Sequence, residues 1–233
     1  MLKVCIDPGH GGGDRSNRGP TGYVEADGVL DIALKLQTFL EKYNNIEVMM
    51  TRGVDTTVTL QSRVALANKA NADIFISVHT NAFSSPAAEG IETFHSIIPA
   101  PGTGGHKLAS CIQEEICKAT GLKSRGIKTR KGSDGRDYYY VIKNTKMPAV
   151  IVECGFHTNF TEEKLLKTDE FRLKCAQGIG RGIIRCFDMP EPNPNKDIKG
   201  TILRKIETME MAFADLQTAK VILEDIKSLI KSI

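Results

Sequence analysis

Three short polar clusters carry residue types that bind metals or move protons. The sequence reads DPGHGGG at residues 7–13, VHTNA at 78–82 and VECGFHTN at 152–159. Each cluster follows an apolar run, so each is predicted to lie at the carboxyl end of a buried strand. Two imidazoles and a carboxylate brought together from such strand ends are typical ligands of zinc. A catalytic zinc keeps three protein ligands and one open position for water.

The candidate residues for this chemistry are His10, Glu25, His79 and Glu153. Glu25 follows His10 across a glycine-rich loop, and Glu153 directly follows the apolar run AVIV. A carboxylate buried at the end of such a strand is costly without a partner, and a carboxylate beside an activated water serves as a general base. A lone histidine at a strand end is more often structural, and the helix dipole alone favours an acidic residue at a helix start. The spacing therefore leaves a zinc hydrolase and a structural role equally open.

Alternating strands and helices must position these residues. Predicted strands cover 2–7, 46–52, 73–82, 90–98, 138–142 and 149–155, and predicted helices cover 28–43, 60–70, 104–120 and 162–187. This order indicates an α/β fold with a mostly parallel twisted sheet and helices on both faces. The segment 90–98 follows 73–82 closely enough to be its hairpin or edge partner. In open sheets of this kind the chemistry lies outside the carboxyl ends of the strands.

The composition excludes several classes of protein. Hydrophobic residues make up 41% and charged residues 25%, and the net charge is +3. That charge is too small for a dedicated nucleic-acid binder, and no run approaches the roughly 18 apolar residues of a membrane span. We therefore expect neither nucleic acid nor a membrane as partner. The six cysteines include no CxxC pair and are interpreted as reduced, buried thiols.

Four motifs in order resemble one family of enzymes. They are IDPGHGG…D followed by Glu25, then SVHTNA, RGIK and MPAVIVECGFHTN. Together they are similar to the zinc-dependent N-acetylmuramoyl-L-alanine amidases of the type-3 catalytic-domain family, found in bacterial autolysins, sporulation lysins and phage endolysins. The resemblance runs from residue 2 to about residue 187. It implies Zn²⁺ held by His10, Glu25 and His79, with Glu153 as the catalytic carboxylate. The substrate would be peptidoglycan, cut at the amide between N-acetylmuramic acid and L-alanine.

Further residues are candidates for secondary roles. Asn81 is predicted to orient substrate or a metal ligand, or to cap a strand end, and Asp7 to support His10 or to form a turn. Arg125 and Lys128 open a basic stretch, residues 122–148, that is longer than is usual in the family. It either meets anionic groups of the substrate or is a solvated loop. The glycines of DPGHGGG are expected to keep the backbone low, so that a glycan strand can approach His10.

The end of the chain differs from the rest in composition. Residues 189–197, MPEPNPNKD, contain three prolines and two asparagines, which is typical of a linker. Residues 198–233 repeat apolar residues at steps of mostly 3 and 4, which predicts an amphipathic helix or a helical hairpin. We therefore predict a catalytic domain at 1–188, a linker at 189–197 and a helical tail at 198–233. The tail would form a homodimer as a coiled coil, pack on the catalytic domain, or begin a wall-binding module.

The biological setting is the least constrained expectation. The N-terminus enters LKVCI directly and shows no signal peptide, which predicts cytoplasmic synthesis. An amidase made in this way would act at the cell wall after release, as a phage or prophage endolysin, or within a sporulating cell. The alternatives are a sporulation or autolytic amidase, a zinc peptidase with another amide substrate, and a catalytically silent wall-binding domain.

Overall fold

A six-stranded sheet flanked by helices forms the part of the chain that the structure, a computed structural model, describes: residues 1–98 and 104–190. Its strands are β1 (Leu2–Pro8), β2 (Ile46–Met50), β3 (Ile74–Asn81), β4 (Ile91–His95), β5 (Ser124–Lys128) and β6 (Ala149–Phe156). Its helices are α1 (Glu25–Leu40), α2 (Leu60–Lys69), α3 (Gly104–Thr120), α4 (Tyr140–Asn144), α5 (Phe160–Leu166) and α6 (Asp169–Cys186).

The sheet order is β2-β1-β3-β6-β4-β5. All neighbours pair in parallel except β4 and β6, which are antiparallel. The predicted α/β fold with a mostly parallel sheet is confirmed. Because β1, β3 and β6 are adjacent and parallel, their carboxyl ends meet at one edge of the sheet. The three polar clusters of the sequence begin in the last residues of these three strands and continue beyond them.

Helices cover both faces of the sheet, because alternate residues of each central strand enter different cores. In β3, Ile74 and Ile76 belong to the larger core with residues of α1, α3 and α6. Phe75 between them belongs to the smaller core with residues of α2 and α4. Each fully buried side chain of this size contributes about 1.5–3 kcal/mol. Packing on both faces of the sheet therefore fixes the positions of the strand ends.

Two predictions about the sheet were wrong. Residues 138–142 were expected to be a strand, but Tyr140–Asn144 is the helix α4, and the strand in this region is the polar segment β5. Val141 and Ile142 are buried in the smaller core from this helix. Segment 90–98 was expected beside 73–82, yet β6 lies between β3 and β4. Residues 82–90 therefore lead past the end of β6 to β4 in place of a hairpin between adjacent strands.

The predicted helix 162–187 is two helices. The side chain of Asn159 caps α5 by accepting from the backbone N–H groups of Thr161 and Glu162, and that of Thr168 caps α6 by accepting from Phe171. Such caps satisfy donors that a helix start would otherwise leave unpaired. The two caps turn the chain twice after β6 and bring α6 back across the larger core.

The chain divides into two units, Met1–Glu191 and Pro192–Ile233, and the fold above is that of the first. The predicted linker 189–197 falls outside the described residues from 191 onward, and the predicted helical tail 198–233 lies wholly outside them. Both stay predictions. No helix in the described ranges is long and apolar enough to cross a membrane. All six cysteines are free, and five of them are buried.

Candidate metal centre

Three predicted ligand residues meet at the edge of the sheet where β1 and β3 end. His10 lies just beyond β1, Glu25 is the first residue of α1, and His79 lies near the end of β3. One ligand atom from each residue lies within 4.8 Å of the other two. Glu25 Oε1 is 3.0 Å from His79 Nδ1, and Glu25 Oε2 is 3.2 Å from His10 Nε2.

This arrangement fits zinc by both donor type and spacing. Zinc bonds to nitrogen and oxygen are about 2.0–2.1 Å long, so two ligands on one tetrahedral ion lie roughly 3.3 Å apart. The two distances from Glu25 are close to that value. Two imidazoles and one carboxylate also form a donor set that catalytic zinc uses, with a fourth position left for water. The residues present therefore suit the ion that the sequence predicts.

The electrostatics of the three residues are coupled. Burial acts to raise the pKa of Glu25, but hydrogen bonds and charges from His10 and His79 outweigh it and hold the pKa well below its usual range. Burial acts to lower the pKa of His10, but Glu25 and Asp14 outweigh it and raise the pKa to about 9. Burial also acts to lower the pKa of His79, but Glu25 outweighs it and the pKa is raised. Without a metal, the imidazole of His10 therefore stays protonated near neutral pH. Metal binding must displace this proton, so the metal affinity will fall as the pH falls.

Asp14, rather than Asp7, supports the ring of His10. Asp14 Oδ2 lies 2.8 Å from His10 Nδ1, which leaves Nε2 directed at the ligand cluster. The carboxylate of Asp7 instead accepts from Thr51 and Ser77 hydroxyls and from the guanidinium of Arg63. Asp7 makes no hydrogen bond to the ring of His10, and its suggested support of that residue stays a prediction. The signal for Asp14 was a carboxylate four residues after the histidine, within the same glycine-rich loop.

Asn17 was also missed by sequence reasoning. Its side-chain amide nitrogen lies 2.9 Å from Glu25 Oε2 and 3.2 Å from His10 Nε2. Glu25 Oε1 additionally accepts from the backbone N–H of Thr80 at 2.9 Å. Both carboxylate oxygens of Glu25 are therefore held in place, which fixes the ligand before any metal binds.

The backbone of His10 is itself strained. Its φ of 57° lies in the left-handed region, which costs residues other than glycine on the order of 1–3 kcal/mol. Such a conformation persists only when its surroundings hold it. The strained peptide aims the imidazole back over the sheet edge, toward Glu25.

Gly9 is needed for close packing within the protein, and this differs from the predicted role of the glycine-rich loop. A Cβ atom at Gly9 would overlap the imidazole ring of His79, and Cβ atoms at Gly11 and Gly12 would press on residues 56 and 57. Only at Gly13 is there room, where the nearest atom would be 3.8 Å away. Access of a glycan strand to His10 therefore does not explain Gly9, Gly11 or Gly12.

Gly9→Ala should weaken zinc binding by at least about tenfold, because the new methyl group displaces the His79 ring from its ligand position. Gly13→Ala is the matched control, since it adds the same methyl group elsewhere in the same loop, where the methyl group meets no clash. The measurement is zinc affinity by competition with a chromogenic chelator. Equal affinities for the two variants would contradict the role of Gly9 in seating His79.

Glu153 lies beside the ligand cluster, on β6. It is the register partner of His79 on β3 and of Glu92 on β4. Its side chain is buried, and Oε2 has no hydrogen-bond partner among the described residues. Burial raises the pKa of Glu153 to about 7; the His79 charge opposes this shift, whereas Glu25 and Glu92 add to it. A buried carboxyl with a free oxygen and a pKa near neutrality has the properties of a general base.

Asn81, Arg125 and Lys128 converge on one carboxylate that the sequence analysis missed. Asn81 Nδ2 is 2.7 Å from Glu92 Oε1, while Arg125 Nε and Lys128 Nζ are 2.7 Å and 2.5 Å from Glu92 Oε2. Glu92 is 5% exposed, and these cations hold its pKa below the usual value although burial opposes them. A glutamate within the alternating strand sequence IETFH gave no signal of such a role. Substrate contact by Asn81, Arg125 and Lys128 stays a prediction.

The basic stretch 122–148 is less cationic in its folded surroundings than its sequence suggests. Arg136 and Lys143 both pair with Asp134. The guanidinium of Arg130 lies 3.7 Å from the centroid of the Tyr138 ring. These contacts neutralise or cover part of the charge that was expected to meet anionic substrate groups. Contact of this stretch with the substrate also stays a prediction.

The fold and the donor set define a candidate metallohydrolase of the α/β class. Residues 4–185 match the family model described as N-acetylmuramoyl-L-alanine amidase. The chain belongs to this amidase family.

Relatives support the assignment along most of the chain. The amidase CwlM of Bacillus licheniformis is 34% identical over 190 residues, which cover 81% of this chain and 70% of the relative. The endolysin of Bacillus phage SPP1 is 34% identical over 200 residues, covering 84% and 71%. The structure of the catalytic domain of the amidase CwlV from Bacillus (Paenibacillus) polymyxa superposes with a TM-score of 0.73 at 34% identity, covering 82% of this chain and all of that one.

Proposed function

We propose that the chain is a zinc-dependent amidase that hydrolyses the bond between N-acetylmuramic acid and the L-alanine of the stem peptide in peptidoglycan. The observation that carries this proposal is the unpartnered oxygen of Glu153 beside the three convergent ligands. A carboxylate buried without a partner lowers stability, so its presence beside these residues favours a catalytic purpose over a structural one. The similarity to CwlM supports the choice of substrate.

The chain's own residues divide the work. A zinc ion held by His10, Glu25 and His79 would supply a Lewis acid that polarises the scissile carbonyl and makes water more acidic. Glu153 takes a proton from the attacking water through its free oxygen and then delivers a proton to the departing amine of L-alanine. A pKa of about 7 suits both tasks, because the group neither holds nor releases its proton too strongly. Asp14 keeps His10 in the orientation that the ligand cluster requires.

The rate should fall at acid pH, with its descending limb below the pKa of about 7 that Glu153 has without metal. Glu153 acts as a base only when ionised, and its raised pKa means that the ionised fraction falls about tenfold per pH unit below that value. A bound cation moves the descending limb to lower pH, because it favours the charged carboxylate. The measurement is kcat/KM from pH 5 to 8.5, with bound zinc determined at each pH to separate metal loss from protonation. A flat profile at constant zinc content would rule out this role of Glu153.

Product analysis of digested peptidoglycan tests the proposed function. The protein is stripped with a chelator, assayed, and assayed again after zinc is restored, with mass spectrometry of the soluble products. Free stem peptides that begin with L-alanine, released only with zinc, are the expected result. Cleavage within the peptide would instead favour the alternative of a zinc peptidase. Absence of cleavage in both states would favour the catalytically silent alternative.

For the biological setting we propose a phage or prophage endolysin that is made in the cytoplasm and released to the cell wall. Similarity to the endolysin of phage SPP1 supports this setting. Similarity to the sporulation-specific amidase of Bacillus subtilis, at 33% identity over 69% of that protein, supports the alternative. Induction of the transcript by DNA damage would favour the endolysin, and induction during sporulation would favour the other.

We also propose that residues 198–233 form a homodimer. Support comes only from the apolar repeat at helical spacing in the sequence. Sedimentation of the full chain, compared with a chain ending at residue 190, tests the proposal. A monomeric full chain would contradict it.

A further inference from the structure

Arg52 is a buried cation close to the predicted metal ligands. It lies two residues after Met50, where β2 ends. Its side chain is 3% exposed. All the hydrogen bonds that it makes to described residues go to backbone carbonyls: Pro8, Gly9, Ala26 and Val54. Four of the five N–H donors of the guanidinium are used in this way. Because Arg52 is buried and bonds to backbone carbonyls, its role is to hold those carbonyls in place.

One nitrogen of Arg52 connects the loop of His10 with the first turn of α1, which begins at Glu25. Nη2 donates to the carbonyl of Gly9 at 2.7 Å and to the carbonyl of Ala26 at 2.9 Å. Gly9 immediately precedes His10, and Ala26 immediately follows Glu25. The peptide groups beside two ligands, which come from separate elements, are therefore held by a single atom.

A second buried arginine has a different task. Arg63 Nη1 pairs with Asp7 at 2.7 Å, and its Nη2 donates to the carbonyl of His10 at 2.6 Å. The carbonyls on both sides of His10 are thus held by guanidinium groups, Gly9 by Arg52 and His10 by Arg63. This explains how His10 keeps its left-handed backbone. Of the two, only Arg52 also reaches the start of α1, at Ala26.

A purely structural role would not require arginine at position 52. Burial of a charge is costly, and apolar side chains that replace buried ions often preserve or increase stability. Neither an apolar side chain nor a lysine can donate to four carbonyls from one rigid plane. A lysine is a point charge on a flexible stem, whereas a guanidinium fixes the directions of its donors.

We infer that Arg52 is a positioning residue: it sets the separation of His10 and Glu25 and so determines the metal affinity of the site. The inference rests on the proposed function, because it assumes that His10, Glu25 and His79 bind a metal. It assigns Arg52 no contact with substrate. If Arg52 is replaced, we expect the domain to fold but His10 and Glu25 to be displaced relative to each other.

The test compares Arg52→Lys with Arg172→Lys in the full chain. Arg172 is the control, because it is a partly buried arginine that bonds to a carbonyl and a carboxylate, those of Leu166 and Asp31, away from the predicted ligands. Zinc affinity is measured by chelator competition, the ligand geometry by the visible spectrum of the Co²⁺-loaded protein, and the fold by the thermal midpoint of the metal-free protein. Arg52→Lys should lose about 10–100-fold in zinc affinity, the range known for residues that orient metal ligands, and should show an altered Co²⁺ spectrum. Arg172→Lys should lower the thermal midpoint only.

Each outcome decides the inference. Unchanged affinity and spectrum in Arg52→Lys, or an equal loss of affinity in Arg172→Lys, would overturn it. If Arg52→Lys does not fold, Arg52→Met removes the buried charge, and failure of both variants to fold would identify a folding determinant and also overturn the inference. Absence of zinc binding by the unaltered chain would instead defeat the proposed function, so the two failures are distinguishable.

Discussion

Glu153→Gln should lower the rate of peptidoglycan hydrolysis by about 10²–10⁴-fold, the usual contribution of a general base, and leave zinc affinity almost unchanged. The amide has the size and shape of the carboxylate but cannot accept a proton from water. Because Glu153 is not among the ligands whose atoms converge, the metal site itself should stay intact. The measurements are release of L-alanine amino termini from purified peptidoglycan and zinc content after dialysis.

The same variant should be more stable than the parent when both lack metal. Since burial raises the pKa of Glu153 from an ordinary 4.5 to about 7 in the folded protein, the folded state loses stability as the pH rises from about 4.5 through 7. The difference is about 3 kcal/mol above pH 7 and disappears near pH 4, at about 1.4 kcal/mol per pKa unit. Glutamine carries no such penalty. Equal stability of parent and variant at pH 8, or loss of zinc together with activity, would contradict the role assigned to Glu153.

Glu25→Gln should reduce zinc affinity by at least about 10²-fold and abolish hydrolysis at ordinary zinc concentrations. The expected loss exceeds the 10–100-fold range of residues that only orient ligands, because Glu25 supplies the negative charge of the donor set. Glutamine can still accept from the N–H of Thr80 or from Asn17, so the helix start should remain folded. Zinc affinity and the far-ultraviolet circular dichroism spectrum of the metal-free protein are the two measurements.

Glu162→Gln is the matched control for this experiment. Glu162 is also a buried carboxylate at a helix start, 4% exposed, and it accepts from the backbone N–H groups of Gly90 and Phe156. Its replacement should lower stability without changing zinc affinity. Zinc affinity that survives in Glu25→Gln, or falls equally in both variants, would show that Glu25 is no ligand.

The features of the fold that depend on local pattern were predictable from the sequence. The long apolar strands β1, β3 and β6 and the amphipathic helix α3 follow directly from hydrophobic periodicity. The strand prediction for segment 138–142 was wrong because aromatic and β-branched residues favour strands when only the local sequence is considered. In the folded protein Val141 and Ile142 lie on helix α4 and pack into the smaller core. The position of β6 between β3 and β4 depends on pairing between distant segments, which no local signal specifies.

The candidate site divides in the same way. His10, His79 and Glu153 were recognisable because chemically active side chains follow apolar strands. Arg52 and Glu92 were not, since their significance comes from partners more than ten residues away along the chain. An arginine after a strand and a glutamate within one are ordinary surface residues until the chain folds. The predicted metal ligands were therefore easier to find than the residues whose contacts hold them in place.

The order of the site residues along the chain has a consequence for biosynthesis. His10, Glu25 and His79 belong to the first half of the sequence, whereas Glu153 lies on β6, which pairs with β3 only after most of the domain has been made. Translation proceeds from the N-terminus, so every ligand leaves the ribosome before the base exists. A truncated product that ends before β6 would carry the ligands without the means to use them. With the roles that we propose for these residues, a prematurely terminated chain would be unable to hydrolyse the cell wall.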